Sequence, residues 1–354
     1  MKQIREYLKV LREEISQNGL ILWGAGPNLS AVIASLGRLG FKENIVGVFD
    51  STRELKGSEM QGVRIIPNEE VKSFSYDKNI IIGCAGLNEL YGYIVPEHLF
   101  YFKIIHRRAL EIFENLDLPA LDKLQNNVDL FSDDLSKHIY LRRLELILSS
   151  VMFDASFKSY GGPYFNNDII QSLDGRWLYA GAFNGRHLSR ALEYQPDQKI
   201  VAIEPSPKMF DYLRGKFANN NTIDLKNYLL WSSSGKKIRF NDDSIHQGLG
   251  ASVFQHAEFG EDLVIETITI DDLLNGGSVS HIALDVEGSE QEAIEGAKET
   301  ISKFSPSCAV CLYHSLDDYL KLPSQLHRLS GEKKLYVRQH SCIPFIENVL
   351  YASR

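Results

Sequence analysis

The stretch that decides the fold is RWLYAGAFNGRHLSRAL, residues 176–192. A short apolar run enters a glycine-rich turn, and apolar residues at helical spacing follow the turn. This pattern is typical of a strand, a tight turn and a helix. The next stretch, KIVAIEPSPKMFDYLRGKF at residues 199–217, reads as a second strand, which ends on Glu204, and a second helix. Strands that alternate with helices predict a largely parallel sheet with helices on both faces.

The same alternation continues to the end of the chain. The further strand-like stretches are TIDLKNYLLW, KKIRF, HIALDVE, SCAVCLYH, LYVRQHS and NVLYAS. In such sheets, ligands bind at the carboxyl ends of the strands, where the winding direction switches. We therefore expect Gly181, Gly185, Glu204, Asp285 and Glu287 to converge on one edge of the sheet.

The N-terminal part of the chain carries a similar but weaker pattern. GLILWGAGPNLSAVIASLGRLG at residues 19–40 and NIVGVFD at residues 44–50 predict strand, glycine turn, helix and strand. Gly24 and Gly26 would admit a phosphate, and Asp50 would accept hydrogen bonds from a ribose. The third glycine of the dinucleotide-binding motif G-x-G-x-x-G is replaced by Leu29. A tight turn that holds no nucleotide is an equal alternative.

The patterns predict an α/β protein with two Rossmann-like domains. A small α/β domain occupies residues 1–115, a helical connector residues 116–163, and the second α/β domain residues 164–354.

The charge of the chain argues against one class of function. The formal net charge of the 354 residues is -8 and no long basic run is present, which is unfavourable for binding nucleic acid.

The sequence predicts neither a signal peptide nor a membrane span, and we expect a cytoplasmic protein. The first helix mixes charged and apolar residues, and no apolar run is long enough to cross a bilayer. The four cysteines are too few and too scattered for a disulfide framework. Cys308 and Cys311 form a C-x-x-C pair, which could indicate a zinc or redox site. Residues three apart on a strand face opposite sides, however, and the surrounding stretch is apolar, so we predict that both are buried core thiols.

The stretch HIALDVEGSE, residues 281–290, ends a buried strand on two acids. Asp285 either caps the following helix or faces a ligand. Glu287 either binds an acceptor or a metal, or packs against backbone amides. His314 ends the strand-like CLYH stretch and is either a substrate contact or a structural histidine. No spacing of potential ligands requires a metal, so we assign no metal site.

The C-terminal half resembles the FkbM-type methyltransferases over roughly residues 164–352. The resemblance is carried by ordered stretches: YFNNDII, YAGAFNG, AIEPSPKMF, TITIDDLL, HIALDVEGSEQEAIEGAKETI, LYHSLDDYLKLP, RQHS and NVLYA. The N-terminal domain resembles small Rossmann-like modules that accompany some members. The resemblance implies a class I methyltransferase fold and S-adenosylmethionine as the cofactor.

The resemblance also implies the reaction and the residues of the site. The expected reaction is methyl transfer to a hydroxyl of a sugar, glycan precursor or other small metabolite, and a homodimer is possible. Asp285, Glu287 and His314 are the candidate catalytic residues. The candidate cofactor-binding residues are Tyr179, Gly181, Asn184, Gly185, Glu204 and Asn227, although a turn role is an equal alternative for Asn227. Tyr164 and Phe165 either shape the pocket or belong to the core.

Three positions depart from the family pattern. Tyr179 replaces the usual aspartate of the first strand, Ala283 the usual lysine of the fourth strand, and Asn184 the aspartate of many relatives. Tyr179 and Ala283 motivate one alternative function, a catalytically inactive binding module with the same fold. Gly24, Gly26 and Asp50 motivate another, a nucleotide-sugar oxidoreductase led by the N-terminal domain.

Overall fold

The structure is a computed structural model that describes residues 2–24, 29–50, 59–66, 70, 73–75, 78–83, 103–148, 154–165, 168–170, 174–242, 261–331, 333–343 and 346–353. The chain forms two compact units. The first unit comprises Met1–Leu121 and Leu141–Met152, and the second comprises Asp122–Tyr140 and Phe153–Arg354. The predicted domain boundaries at residues 115 and 163 stay a prediction.

The N-terminal unit is an α/β unit. Its elements are α1 (Lys2–Gln17), β1 (Gly19–Trp23), α2 (Leu29–Arg38), β2 (Ile45–Phe49), β3 (Glu59–Met60), β4 (Val63–Ile66), β5 (Asn79–Gly83), β6 (Lys103–His106) and α3 (Arg107–Asn115). The helices α4 (Leu118–Leu130) and α5 (Asp134–Leu148) follow, and each contributes residues to both units.

The N-terminal sheet has the strand order β3-β4-β2-β1-β5-β6. Its strands are parallel except for the short antiparallel pair β3–β4. The central strands are continuous apolar runs, and Leu20–Leu22 of β1 and Ile80–Ile82 of β5 are fully or almost fully buried. This is the burial expected of parallel strands that are covered on both faces.

The second unit contains the larger sheet. Its elements are β7 (Trp177–Ala180), α6 (Arg186–Tyr194), β8 (Ile200–Ile203), α7 (Pro207–Lys216), β9 (Ile223–Lys226), β10 (Leu229–Leu230), β11 (Lys237–Asp242), β12 (Glu261–Ile268), α8 (Ile270–Leu274), β13 (His281–Leu284), α9 (Glu290–Glu295), α10 (Lys298–Phe304), β14 (Ser307–Cys311), α11 (Leu316–Ser330), β15 (Lys334–Gln339) and β16 (Asn348–Ser353). A separate three-stranded sheet has the order β10-β12-β11.

The seven-stranded sheet has the order β15-β16-β14-β13-β7-β8-β9. All neighbouring pairs are parallel except those of β16, which runs antiparallel to β14 and β15. The winding direction reverses between β7 and β13, which lie side by side with Ala180 opposite Leu284. The predicted fold class is confirmed, and the sheet has the topological switch point at which ligands are expected.

Local sequence explains where the helices of the second unit begin. Ser206 caps α7 by accepting a hydrogen bond from the Met209 amide, and Pro207 occupies the first helical position. Thr269 caps α8 through the Asp272 amide. Asp271 lies in the first turn of α8, and its carboxylate also accepts the amides of Glu299 and Thr300 at the start of α10. Polar side chains thus anchor helix starts near the edge of the sheet.

Two further expectations concern membrane spans and the cysteines. Within the described ranges, no helix is long and apolar enough to cross a membrane. Cys308 and Cys311 are buried in β14, as predicted. Burial raises the pKa of the Cys308 thiol to about 12. Cys311 has a further role, because its thiol donates a hydrogen bond at the carboxyl end of β13, as described below.

Candidate active site

The turn between β7 and α6 forms a glycine corner, residues 181–185, at the switch point. Gly181, Phe183 and Gly185 all have positive φ angles, 85°, 42° and 72°. The amides of Gly181 and Ala182 donate to the Ile203 carbonyl oxygen at the end of β8, over 3.0 and 3.1 Å. The corner is therefore fastened to the neighbouring strand by the backbone.

Only glycine fits at position 181. A Cβ atom on Gly181 would lie 1.8 Å from the Asp285 carbonyl oxygen, far inside van der Waals contact. A Cβ atom on Gly185 would lie 2.7 Å from the Phe217 ring. The glycine corner thus packs directly against the end of β13, where the two acids lie. The sequence prediction that these strand ends converge is confirmed for Gly181 and Asp285.

Glu204 follows β8 and contacts the glycine corner through its side chain. Its Oε2 atom accepts the Phe183 amide over 2.7 Å, and its Oε1 atom accepts the Ser206 amide over 2.9 Å. Burial raises the pKa of Glu204 to about 7, although these two hydrogen bonds act in the opposite direction. The negative charge of Asp242 adds to the increase. The carboxylate is therefore held in a cradle of backbone amides and is 5% exposed.

Two other predicted cofactor residues hold the chain around this cradle. Asn227 donates from Nδ2 to the carbonyl oxygens of Glu204 and Pro205, over 2.7 and 3.0 Å. Asn184 is exposed, and its Oδ1 atom accepts the Arg186 amide over 3.0 Å. Both contacts fix the loops at the carboxyl ends of β7, β8 and β9.

Tyr179 lies inside the core beneath the corner. Its ring packs against Tyr164 and Phe165 at centroid distances of 5.3 and 5.6 Å. Burial raises the pKa of Tyr179 well above its usual value, and the charges of Asp285 and Glu204 contribute. The phenol is thus close enough to both acids to sense their charges, and it lies between the two strand ends.

Asp285 is surrounded by side-chain donors. The Tyr164 hydroxyl donates to Oδ2 over 2.7 Å, and the Cys311 thiol and the Tyr313 hydroxyl donate to Oδ1 over 3.0 and 3.1 Å. The hydrogen bonds described for the Asp285 carboxylate come from Tyr164, Cys311 and Tyr313 and not from amides of α9, whose N-cap residue is Ser289. Glu290 holds the loop before α9, because its carboxylate accepts the amides of Val286 and Gly288.

His314 joins Asp285, Glu287 and Glu290 in one carboxylate–imidazole cluster. The His314 Nε2 atom lies 3.4 Å from Asp285 Oδ1 and 3.4 Å from Glu287 Oε2. The Nδ1 atom lies 2.8 Å from Oε1 of the fully buried Glu290. Burial lowers the pKa of His314, but Glu290, Glu287 and Asp285 outweigh it and raise the value to about 10. The structure therefore brings the three predicted catalytic residues together.

Four residues of this site were not assigned to it from the sequence: Tyr164, Glu290, Cys311 and Tyr313. Tyr164 belongs to the core, since its ring is buried, and its hydroxyl donates to Asp285, whereas a role in shaping a pocket stays a prediction. Cys311 and Tyr313 are two residues apart and share a face of extended chain, which is a signal for a common site. This spacing points to Asp285 as the common partner only once the pairing of β13 with β14 is known.

The nucleotide motif of the N-terminal unit is described in part. Gly24 has a φ angle of 100°, and its amide donates to the Phe49 carbonyl oxygen over 2.9 Å. Asp50 directly follows β2 and is half-buried. Gly26 lies outside the described residues. Gly24 thus has the positive φ angle that a tight turn would use, whereas the turn itself and the binding of a nucleotide stay predictions.

Comparison with known proteins identifies both parts of the chain. Residues 180–329 match the family model described as Methyltransferase FkbM domain, and residues 16–95 match the one described as C2185-like, N-terminal. The crystal structure of methyltransferase FkbM from Methylobacillus flagellatus is similar over 99% of this chain and 98% of that chain, with a TM-score of 0.64 and 17% identity. No curated protein sequence matches the chain.

Two further solved structures align with part of the chain. S-adenosyl-L-methionine-bound fibrillarin from Aeropyrum pernix aligns over 50% of this chain and 65% of its own, with 13% identity and a TM-score of 0.33. An S-adenosylhomocysteine-bound methyltransferase from Podospora anserina aligns over 67% and 88%, with 11% identity and a TM-score of 0.29. The resemblance inferred from the sequence is confirmed by the family match: residues 180–329 are an FkbM-family methyltransferase domain, and the chain is an S-adenosylmethionine-dependent transferase.

Proposed function

We propose that the protein transfers a methyl group from S-adenosylmethionine to a hydroxyl of a small acceptor, a sugar or glycan precursor. One observation carries this proposal: Asp285 of the carboxylate–imidazole cluster packs against Gly181 of the glycine corner. A cofactor at the corner and a hydroxyl at the cluster would therefore be neighbours at the switch point of the sheet.

The cofactor end of the site follows from the glycine corner and Glu204. An ionised carboxylate offers about four acceptor positions, and two of those of Glu204 are occupied by backbone amides. The remaining ones suit the two hydroxyls of a ribose. Gly181 and Gly185 let the corner take its positive φ angles while it packs against Asp285 and Phe217, and Asn184 and Asn227 hold the surrounding loops. Tyr179 is buried beneath the corner, so its predicted contact with the cofactor would require a movement of the core around it.

The acceptor end follows from the cluster. S-adenosylmethionine bound at the corner would supply a methyl group already activated by its sulfonium, which would leave as a thioether, and a carboxylate of the cluster would take the proton of the acceptor hydroxyl. Asp285 and Glu287 are the acceptors for that proton. With its pKa near 10, His314 is a cation at neutral pH and acts as a hydrogen-bond donor. In-line positioning contributes about 7–11 kcal/mol at its ideal limit, and a base roughly 100- to 10,000-fold in rate.

Calorimetry tests the cofactor end. S-adenosylhomocysteine should bind to the purified full chain, whereas NAD should release no heat. Glu204→Ala should weaken S-adenosylhomocysteine on the order of 100-fold, because two hydrogen bonds to a charged group are lost. Glu193→Ala removes an exposed carboxylate of α6 and is the matched control. Unchanged affinity in Glu204→Ala, with native circular dichroism, would remove the ribose assignment.

Transfer of a labelled methyl group tests the acceptor end. Incubation of the protein with labelled S-adenosylmethionine and fractionated cell metabolites should place the label in hydroxylated sugar compounds, in a linkage that resists mild base as an ether does. Label on amines, thiols or carboxylates, or binding of the cofactor without any transfer, would refute the proposed reaction.

A further inference from the structure

Asp285, Glu287 and His314 come from two neighbouring strand ends and offer donor atoms of different chemistry to one small space. One ligand atom from each lies within 4.8 Å of the other two. We propose that these three side chains bind a divalent first-row transition-metal ion, such as Mn²⁺ or Zn²⁺, at the acceptor end of the site. The inference deepens the proposed function, on which it rests for the role of the ion but not for its binding.

The spacing of the donors fits such an ion. Bonds of about 2.1 Å in a tetrahedral arrangement place neighbouring donor atoms about 3.4 Å apart. The His314 Nε2 atom lies 3.4 Å from both Asp285 Oδ1 and Glu287 Oε2. An ion could therefore lie among the three atoms with only small movements of the side chains.

The surrounding residues orient the ligands as they do in known metal sites. A metal-bound imidazole usually donates its other N–H group to a carboxylate, which fixes the ring and its tautomer. Glu290 supplies this partner for His314 Nδ1 over 2.8 Å, and two backbone amides hold Glu290 in turn. Hydroxyl donors from Tyr164 and Tyr313 fix Asp285. The imidazole Nε2 atom is then directed between Asp285 and Glu287.

The local charge favours a cation. Three carboxylates, those of Asp285, Glu287 and Glu290, lie around one imidazole. These negative charges would stabilise a metal dication bound at His314 Nε2. An imidazole in the donor set favours transition metals over Mg²⁺ and Ca²⁺, which prefer oxygen ligands.

The site remains accessible to an acceptor. The side chains of Asp285 and Glu287 are 19% and 32% exposed, whereas that of His314 is 8% exposed. Three protein ligands leave at least one position for water or a substrate oxygen. A hydroxyl bound there would be oriented toward the cofactor and would lose its proton to the carboxylate of Asp285 or Glu287 more readily, because the ion would stabilise the resulting alkoxide.

Metal titration of the full chain tests this site. Protein treated with EDTA and dialysed should bind one Mn²⁺ or Zn²⁺ per chain in calorimetry, and bound Co²⁺ should show the visible absorption of a tetrahedral ion. Glu287→Gln should weaken binding at least about 10-fold, and Glu290→Gln by about 10- to 100-fold, as for other partners of metal-bound histidines. Glu299→Gln, which alters an exposed acid of α10, should bind as the wild type does.

The outcomes separate this inference from the proposed function. If Glu287→Gln and Glu290→Gln bind the metal as the wild type does, or if the wild type binds none, the inference is wrong. S-adenosylhomocysteine binding is measured in the same samples without metal, and its failure would instead count against the cofactor site. Glu290 is fully buried, so the variant of the partly exposed Glu287 decides the outcome if Glu290→Gln does not fold.

Discussion

The two acidic strand ends of the C-terminal sheet are held in different ways. Glu204 after β8 accepts two backbone amides, those of Phe183 and Ser206. Asp285 after β13 accepts side-chain donors, two tyrosines and a cysteine. A backbone cradle persists whatever side chains the loop carries, whereas a side-chain cradle can be taken apart one donor at a time. The cofactor end is thus set by the path of the chain, and the acceptor end by residue identity.

The largest expected effect comes from Asp285→Asn. The substitution keeps the size of the side chain but removes its charge and its capacity to take a proton. Methyl transfer should fall roughly 100- to 10,000-fold. The dissociation constant for S-adenosylhomocysteine should change little, because the carbonyl group and Cβ atom of Asp285, which lie against Gly181, are the same in both proteins. Single-turnover transfer of labelled methyl and calorimetry measure the two quantities.

Asp272→Asn is the control for that substitution, since its carboxylate lies at the exposed start of α8 and should leave transfer unchanged. A parallel loss of methyl transfer and cofactor affinity in Asp285→Asn would contradict this prediction. It would show that the Asp285 side chain is needed at both the cofactor end and the acceptor end of the site.

The next effect tests the backbone at the glycine corner. Gly181→Ala adds a Cβ atom 1.8 Å from the Asp285 carbonyl oxygen at a φ angle of 85°. Overpacking costs about 1–3 kcal/mol, and the left-handed conformation costs about 1 kcal/mol more. The free energy of unfolding should therefore fall by about 2–4 kcal/mol in denaturant titrations, with loss of S-adenosylhomocysteine binding.

Gly235→Ala isolates the contribution of the backbone conformation. Gly235 has a φ angle of 76°, and a Cβ atom there would meet nothing within 4 Å. This variant should lose only about 1 kcal/mol. Equal losses in the two variants would mean that the corner yields to the added atom, and that close packing on Asp285 is not a requirement of the fold.

The third effect is the pH dependence that Glu204 confers. Its pKa rises from 4.5 in the unfolded chain to about 7 in the fold, so the folded state binds the proton more tightly. The stability contributed by the protonated form is present below pH 4.5 and is lost as the pH rises to about 7. The loss amounts to about 3 kcal/mol at most.

The difference between the wild type and Glu204→Gln isolates this contribution. His281 and His340, whose pKa values burial lowers to about 4, titrate in both proteins and cancel in the difference. The two stability curves should converge toward low pH and separate between pH 4.5 and 7. A constant offset across that range would contradict a raised pKa at Glu204.

The same contrast explains what the sequence could predict. The corner at 181–185 and the acid at 204 are local consequences of a strand, a turn and a strand, and Gly181 is the residue that such a turn requires. Their convergence with Asp285 followed from the rule for parallel sheets. The backbone cradle of Glu204 lies within the same few elements, so its position could be predicted before its hydrogen bonds were seen.

The side-chain cradle of Asp285 could not be predicted, because it depends on long-range packing. Tyr164 precedes the sheet by many residues, and Tyr313 follows the next strand along, β14, by two residues. Their reach to Asp285 depends on the register of β13 with β14 and on the packing of the core. Glu290 was missed for a different reason: as the first residue of α9 it resembled an ordinary helix start, yet it binds both backbone amides and His314.

The smallest expected effect comes from removing one donor of the side-chain cradle. Tyr313→Phe deletes a 3.1 Å hydrogen bond to Asp285 Oδ1, which still accepts the Cys311 thiol. The loss should be about 1 kcal/mol in the free energy of unfolding, with a few-fold decrease in methyl transfer. Tyr212→Phe, which alters a largely exposed hydroxyl of α7, should change neither.

Combining that substitution with Tyr164→Phe measures how far the donors act together. Both hydroxyls bind the carboxylate of Asp285, so their removal should cost more than the sum of the single losses, by about 0.5 kcal/mol or more, because Asp285 then keeps the Cys311 thiol as its one remaining donor of the three. Denaturant titration of the two single variants and the double variant gives this coupling energy. Strict additivity would mean that each hydroxyl stabilises the fold independently, and that Asp285 is no more dependent on its neighbours than Glu204 is.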